Sequence, residues 1–300
     1  MDAPLNGQLN GQVGGMGWIP DHPDIRDYTK DAPQVDKFLG SAGILSRAIS
    51  APPPLVDLRP RCSPIVDQGD LGSCTANAAA GVLEYFEIQS SGSYTPASRR
   101  FIYKATRNFL DLHGDTGAYL RSTMGALALF GVPPEKFWAY DISHFDDEPP
   151  AFCYAFGGNY QALLYYRLDP PGINLNELLT DIKATLAGGL PTMFGFPVYT
   201  SIRQATGGNI PFPASHGESV LGGHAIVAIG YDDSRTVTNP VDSSTTTGAL
   251  IIRNSWGTSW GDHGYGYLPY DYVTKGLADD FWVLVNAENV AVNPFTARST

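Results

Sequence analysis

The chain has 300 residues, 43% of them hydrophobic and only 16% charged, so it is long and apolar enough to bury a core and is not intrinsically disordered. Its formal charge of −11, with no basic cluster to offset it locally, argues against a nucleic-acid partner, and no apolar run reaches the length needed to cross a bilayer. The 33 glycines and 23 prolines are too scattered for a repeat and predict a turn-rich, partly β architecture.

In chain order, residues 1–54 read as an N-terminal extension. They are short of aliphatics and end in a stiff Ala-Pro-Pro-Pro-Leu run at Ala51–Leu55. Trp18, Ile19 and Ile25 are its candidate anchors onto the rest of the chain. The first thirty residues lack the basic-then-apolar pattern of a secretory leader, which leaves both a cytoplasmic and a secreted location open.

From residue 55 onward the pattern tightens. Ser73 is placed to cap a helix opening at Cys74, with Ala76, Ala79, Ala80, Leu83 and Phe86 on one face. Further helices are predicted over about 97–110, 118–130 and 174–187, the last two stopped by Gly131 and by Gly188–Gly189. After Pro191 the character changes, and TMFGFPVY, HAIVAIGYD, ALIIRNS, YGYLPY and FWVLVN read as strands. A helical part over about 55–190 and a β part over about 191–300 predict an α+β chain with two lobes and a cleft between them.

Three segments carry chemistry. Cys74 at a predicted helix start meets unpaired N–H groups and the positive end of the helix dipole, which favour a thiolate. A lone cysteine is more commonly a small buried hydrophobe, so its surroundings matter. Gln68 lies six positions earlier, with Gly69 and Gly72 between, and its amide can turn back as an uncharged donor to a developing oxyanion. His224 opens a predicted strand behind Gly222 and Gly223 and offers a base. Asn254, thirty positions on, offers a group to hold that imidazole, and Trp256 a cover over the pair. Of the remaining histidines, His216 and His263 are the runners-up, ahead of His22, His113 and His144. The three cysteines, Cys62, Cys74 and Cys153, form no C-x-x-C pair, so a zinc site is not supported, and spacing assigns no disulfide.

Together the Gln-Gly-x-x-Gly-Ser-Cys loop, the Gly-His-Ala strand and the Asn-Ser-Trp-Gly-x-x-Trp-Gly run resemble, in order, the active-site blocks of the papain family of cysteine peptidases, and the bacterial subgroup typified by xylellain more than the plant enzymes. The likeness spans roughly residues 55–285. It implies a helical lobe facing an antiparallel, barrel-like β lobe, a peptide or protein substrate, a monomer, and no metal or organic cofactor. It assigns Cys74 as nucleophile, His224 as base, Asn254 as its orienting group and Gln68 to the oxyanion. A fourth stretch, GDTGAYLRSTMGALALFGV, extends the likeness to Gly117 as a holder of substrate backbone, with Gly72, Ser73 and Gly223 beside it. Residues 1–54, by their position before this stretch and their isolated apolar anchors, are expected to act as a pro-segment filling part of the cleft, although the long inhibitory helix of the eukaryotic pro-enzymes is not visible in them. A related acyl transfer (exopeptidase, ligase or deamidase) or an inactive binding module is the alternative function. Two positions depart from the family. Leu71 stands where many relatives carry a cysteine, so that disulfide cannot form, and Thr75 stands where an aromatic usually follows the nucleophile.

Overall fold

The computed structural model describes residues 13–22, 24–41, 52–158 and 160–289. Within the N-terminal extension, helix α1 spans Pro33–Ser41, and strand β1 follows at Leu55–Asp57. The first lobe is built from helices α2 (Cys74–Ser91), α3 (Arg99–Phe109), α4 (Leu120–Phe130) and α5 (Ala151–Gly157). Strand β2 (Tyr160–Arg167) and helix α6 (Leu175–Ala187) lead into strands β3 (Thr192–Tyr199), β4 (Val220–Thr238), β5 (Thr245–Arg253) and β6 (Tyr265–Pro269). Helix α7 (Asp271–Thr274) and strand β7 (Asp279–Asn289) complete the described chain. The four expected helices and five expected strands are all present, their ends shifted by a few residues. Helices α1, α5 and α7 and strands β1 and β2 are additions, β2 being drawn from the stretch expected to be helical.

All strand pairs are antiparallel, and the main order is β2-β7-β3-β4-β5-β6, with β1 on β4. The β lobe is thus antiparallel as expected, but its ladder runs as an open sheet and does not close into a barrel. Strand β3 and the middle of β4 are nearly continuously buried rather than alternating, with helices α2 and α6 both packed against them. The central helix α2 is buried along its first twelve residues. Its alanines and Gly81 let it lie close to the sheet, where a Cβ on Gly81 would come within 2.9 Å of the guanidinium of Arg253 on β5.

Helix α3 is unusual in burying cations. Arg99, Arg100 and Arg107 are all less than a tenth exposed. Arg100 stacks on Trp138 and bonds the carbonyl of His144, and Arg107 stacks on Tyr103 and bonds Asp146 at 2.7 Å. Arg99 stacks on Tyr140 and bonds Glu135 at 3.0 Å. Buried guanidinium groups need such partners on both plane and edge, and the effect is to pin the 135–147 loop against the helix.

Residues 13–41 lie on the domain. Trp18 is the expected anchor and is 7% exposed, whereas Ile25 is fully exposed and anchors nothing. Val35 and Leu39, one turn apart on α1, do that work instead, both buried. Residues 1–12 and 42–51, like 290–300, lie outside the described residues.

Candidate active site

The register between β3 and β4 pairs Phe196 with His224 and Gly195 with Ala225. Asn254 follows the last residue of β5, whose Arg253 pairs with Val227 three residues along β4 from His224. These pairings bring the two polar side chains together. His224 Nε2 and Asn254 Oδ1 lie 2.8 Å apart, both residues buried. Because that oxygen can only accept, and also accepts the Ser255 N–H at 2.8 Å, Nε2 carries the proton. In the neutral ring Nδ1 is then the lone-pair nitrogen, and it has no hydrogen-bond partner. The Trp256 ring stacks on the imidazole at 4.4 Å between centroids, tilted 26°, and Trp260 meets Trp256 edge-on. Both side chains of the Asn–His bond are buried beneath these rings.

Cys74 is the first residue of α2 and fully buried. Backbone N–H groups of Ala225, Gly17, Thr75 and Cys74 itself face its sulfur and favour the thiolate, but burial outweighs them and pushes the thiol up to about 11. The Ala225 amide puts the sulfur beside the strand that carries His224. Burial lowers the His224 imidazole to about 4, against the smaller opposing effect of Asn254. At neutral pH the pair is thus a neutral thiol and a neutral imidazole in this state.

Gln68 is buried, and its amide is fixed at both ends. Oε1 accepts from the Ser255 hydroxyl at 2.5 Å, while Nε2 donates to the carbonyls of Leu71 at 2.8 Å and Gly15 at 3.0 Å. The Gly15 carbonyl also receives the Trp256 indole N–H at 3.3 Å. A carbonyl of the N-terminal segment therefore sits on the donor expected to receive an oxyanion.

The rest of the segment continues along the cleft. Gly15 N–H donates to the Gly69 carbonyl at 2.7 Å, Ala118 N–H to the Gly17 carbonyl at 2.8 Å, and Ile19 N–H to the Ala118 carbonyl at 3.2 Å. Trp18 N–H donates to the Gly223 carbonyl at 3.0 Å. The thread fits because it carries glycine at positions 15 and 17, where the walls come closest. A Cβ on Gly17 would lie 2.0 Å from the Gly72 carbonyl oxygen, and one on Gly15 2.3 Å from that of Leu71. On the facing wall, a Cβ on Gly117 would meet the Gly17 oxygen at 2.2 Å. Gly72, Gly117 and Gly223 thus border the occupied groove.

Ser73 precedes α2 as expected but does not cap it with its side chain. Its hydroxyl instead bonds Tyr140 at 2.7 Å and receives the Asn77 amide at 2.9 Å. Tyr140 in turn donates to the Gln68 carbonyl at 2.9 Å, so the arginine-pinned loop braces the Gln68–Cys74 turn. Tyr103, outside the sequence motifs, and Asp115, within the fourth stretch but given no role by it, tie the groove's glycine walls together. Tyr103 donates to Asp115 at 2.5 Å and receives the Gly117 N–H at 3.1 Å, while Asp115 accepts the Gly72 N–H at 3.0 Å. An aspartate two residues before Gly117 is the one signal of this link that the sequence carries. His22, His113, His144, His216 and His263 are all exposed and stand apart from this site. All three cysteines are free thiols, so Cys62 and Cys153 do not pair.

The profile of the papain family cysteine proteases matches residues 52–281. The chain is 32% identical over 296 residues to an uncharacterized peptidase C1-like protein of Acanthamoeba polyphaga mimivirus, covering 93% of this chain and 89% of that one. It is similar in structure to xylellain, a cysteine protease from Xylella fastidiosa, at 34% identity and a TM-score of 0.71 over 90% of this chain and 96% of that one. It also shares its fold with digestive procathepsin L 3 of the Tenebrio molitor larval midgut, at 18% identity and a TM-score of 0.58, covering 85% of this chain and 82% of that one. A buried Cys–His–Asn site at the junction of a central helix and an antiparallel sheet, matched by a family profile over most of its length, makes this chain a papain-family cysteine peptidase.

Proposed function

We propose that Cys74 is the nucleophile of this peptidase, that His224 is its base and acid, and that residues 13–41 hold the enzyme as a blocked precursor. The observation that carries the reading is the His224–Asn254 bond, which fixes the proton on Nε2 and leaves the Nδ1 lone pair free. Once the segment withdraws, water returns to the cleft and the burial that keeps the pair neutral is relieved. The helix start and surrounding N–H groups then favour a thiolate with imidazolium beside it.

The Cys74 sulfur adds to the peptide carbonyl carbon, and Gln68 Nε2 with the Cys74 N–H receives the oxyanion. His224 passes its proton to the leaving amine, and the thioester is hydrolysed by water that His224 deprotonates. Asn254 keeps the imidazole in plane, and Trp256 keeps that bond dry. The segment blocks each element at once. The Gly15 carbonyl takes the Gln68 donor, Gly17 crosses the sulfur, and residues 17–19 pair with the Ala118 backbone.

An irreversible epoxide-type inhibitor followed by peptide mass mapping tests the assignment, with Cys74→Ala as control. Labelling confined to Cys74, strong only when the segment is weakened, together with inhibitor-sensitive peptide cleavage, is the expected result. Labelling elsewhere, or cleavage that survives Cys74→Ala, overturns it.

A further inference from the structure

Cys62, Cys74 and Cys153 are all free, so no disulfide ties the turn that carries Gln68 and Cys74 to the groove wall at residues 114–118. Among the described residues, one hydrogen bond runs directly between them, from the Gly72 N–H to Asp115, at 3.0 Å to Oδ1 and 3.2 Å to Oδ2. Asp115 Oδ1 also accepts the Tyr103 hydroxyl at 2.5 Å, and the same hydroxyl oxygen receives the Gly117 N–H at 3.1 Å. The series Gly72–Asp115–Tyr103–Gly117 thus joins the turn to the wall, and each bond polarises the next. Its inner end is fixed. Tyr103 is wholly buried on α3, and the Arg107 guanidinium lies 4.2 Å over its ring while bonding the Gly114 carbonyl and Asp146. Burial, with Asp115 beside it, raises the Tyr103 hydroxyl above its usual range, so it stays a donor to the carboxylate. The outer end, Asp115, is exposed at the rim.

We infer that Asp115 is a positioning residue for substrate binding, which with Tyr103 sets the distance between the Gly72 turn and the Gly117–Ala118 wall once the thread has gone. The inference rests on the peptidase reading above and deepens it. In the covered state the thread itself bridges the two sides, Gly15 bonding the Gly69 carbonyl, and Gly17 and Ile19 the Ala118 backbone. Those bonds leave with it, as do those of the Trp18 indole N–H and the Asp21 N–H to Asp280 on β7. The strap of Asp115 and Tyr103 involves no thread atom and stays. A substrate that docks its backbone on Ala118 must at the same time present its carbonyl to Cys74. A groove already held at one width meets both demands without having to be ordered on binding. The reacting atoms have separate support, because Tyr140 bonds the Gln68 carbonyl at 2.9 Å and the Ser73 hydroxyl at 2.7 Å. Loss of the strap should therefore weaken binding and spare the chemical step.

The test uses the full chain carrying Gly17→Leu, whose thread has no room in the groove, and reads Cys74 labelling by two reagents. One is a peptidyl epoxide long enough to reach Ala118, for which KI and the maximal rate are separated by saturation. The other is iodoacetamide, which needs neither wall. Asp115→Ala should raise KI about 10-fold, the lower end for lost hydrogen bonds to a charged group, and leave the maximal rate and the iodoacetamide rate within about twofold. Asp115→Asn, whose Oδ1 can accept from both Gly72 and Tyr103, should restore KI to within about threefold of the parent. Tyr103→Phe, which keeps the ring and removes the hydroxyl, should raise KI in the same sense, and it decides the matter if Asp115→Ala does not fold. An unchanged KI overturns the inference. So does a maximal rate that falls in step with the iodoacetamide rate, the mark of general loosening, or a rise with Asp115→Asn as large as with Asp115→Ala, the mark of a charge acting on the reagent directly. No saturation in the parent overturns it too, since the groove would then hold no backbone on Ala118. The peptidase reading fails separately, if the chain with Asp115 intact labels at Cys74 as expected but cleaves no peptide amide.

Discussion

The two halves of the N-terminal segment grip one domain by different physics. Residues 13–19 are held by main-chain hydrogen bonds, with glycine at 15 and 17 where the walls come close, while the Trp18 side chain is buried and Met16 packs beside Gly222. Residues 21–41 are held by charge and by a short amphipathic helix. Asp21 and Asp27 both pair with Arg121, Lys30 with Asp181, and Val35 and Leu39 enter the core. The first half is sensitive to shape and nearly indifferent to salt, whereas the second is the reverse. A blocker must fit a groove built for backbones while staying attached somewhere else, and dividing those tasks lets each be met by ordinary chemistry.

Substitution in the thread should separate the halves most sharply. Gly17→Leu has no room against the Gly72 carbonyl, and expulsion of the thread should raise Cys74 labelling in the full chain about 100-fold, since overpacking of this kind costs a few kcal/mol. Unchanged labelling, with the variant folded by circular dichroism, would break the assignment of residues 13–19 as the blocker.

Acidification should expose an opposition between groups under the thread. Burial holds His224 at about 4 when covered and is relieved when the thread leaves, so as pH falls toward 4 the uncovered state binds the extra proton and acid favours uncovering. Burial raises Asp280 to about 7 and holds Asp21 up as well. Each covered carboxyl keeps its proton into a range where the uncovered one has lost it, starting near pH 7 for Asp280, and acid there favours covering. The wild-type thread should therefore show little change in amide-exchange protection between pH 7 and 5. Asp280→Asn should lose protection at pH 5 by up to about 20-fold more, as His224 linkage acts less opposed. On the alkaline side, burial holds the covered thiol neutral up to about 11, so the uncovered state, whose thiol ionises first, gains as pH rises toward that value. Protection that falls steeply in acid in the wild type would contradict this balance.

In the second half, Arg121→Gln removes the partner of two carboxylates, one of them buried, and should raise labelling about tenfold at low salt and less in 1 M salt. Lys30→Ala strips only a half-exposed pair and should change labelling by less than about threefold. If Lys30 mattered as much as Arg121, charge would be acting at long range and the comparison would need redrawing.

How legible each part of the molecule is in its sequence follows a similar divide, between local and distant causes. Gln68, Cys74, His224 and Asn254 are legible because each sits in a short motif whose neighbours explain it. Helices α2, α3, α4 and α6 are legible from their periodicity and stops. Asp280 is not, because its meaning comes from an indole 262 positions away. Tyr103 and Asp115 matter only through Gly72 and Gly117, which the fold brings together. Ile25 looks like an anchor on hydrophobicity alone, which does not distinguish a buried isoleucine from an exposed one in a segment without period. Val35 and Leu39 do have helical spacing, but within only nine residues. Strand β2 merges into the helical half of the sequence because its place in the sheet is set by its partner β7, from the far end of the chain.

The glycines of the thread carry a consequence for inhibitor chemistry. Glycine gives up more freedom on ordering than any other residue, so a strand rich in it binds poorly for its number of hydrogen bonds. Residues 21–41 offset this by acting as a tether, raising the effective concentration of the thread at the cleft to the millimolar range expected of a short linker. A detached peptide copying residues 13–19 forfeits that tether and faces the full entropic penalty as a separate molecule. The same contacts that close the cleft within one chain are thus weak between two, and a single cut between thread and tether is enough to turn a standing block into a solute that diffuses away.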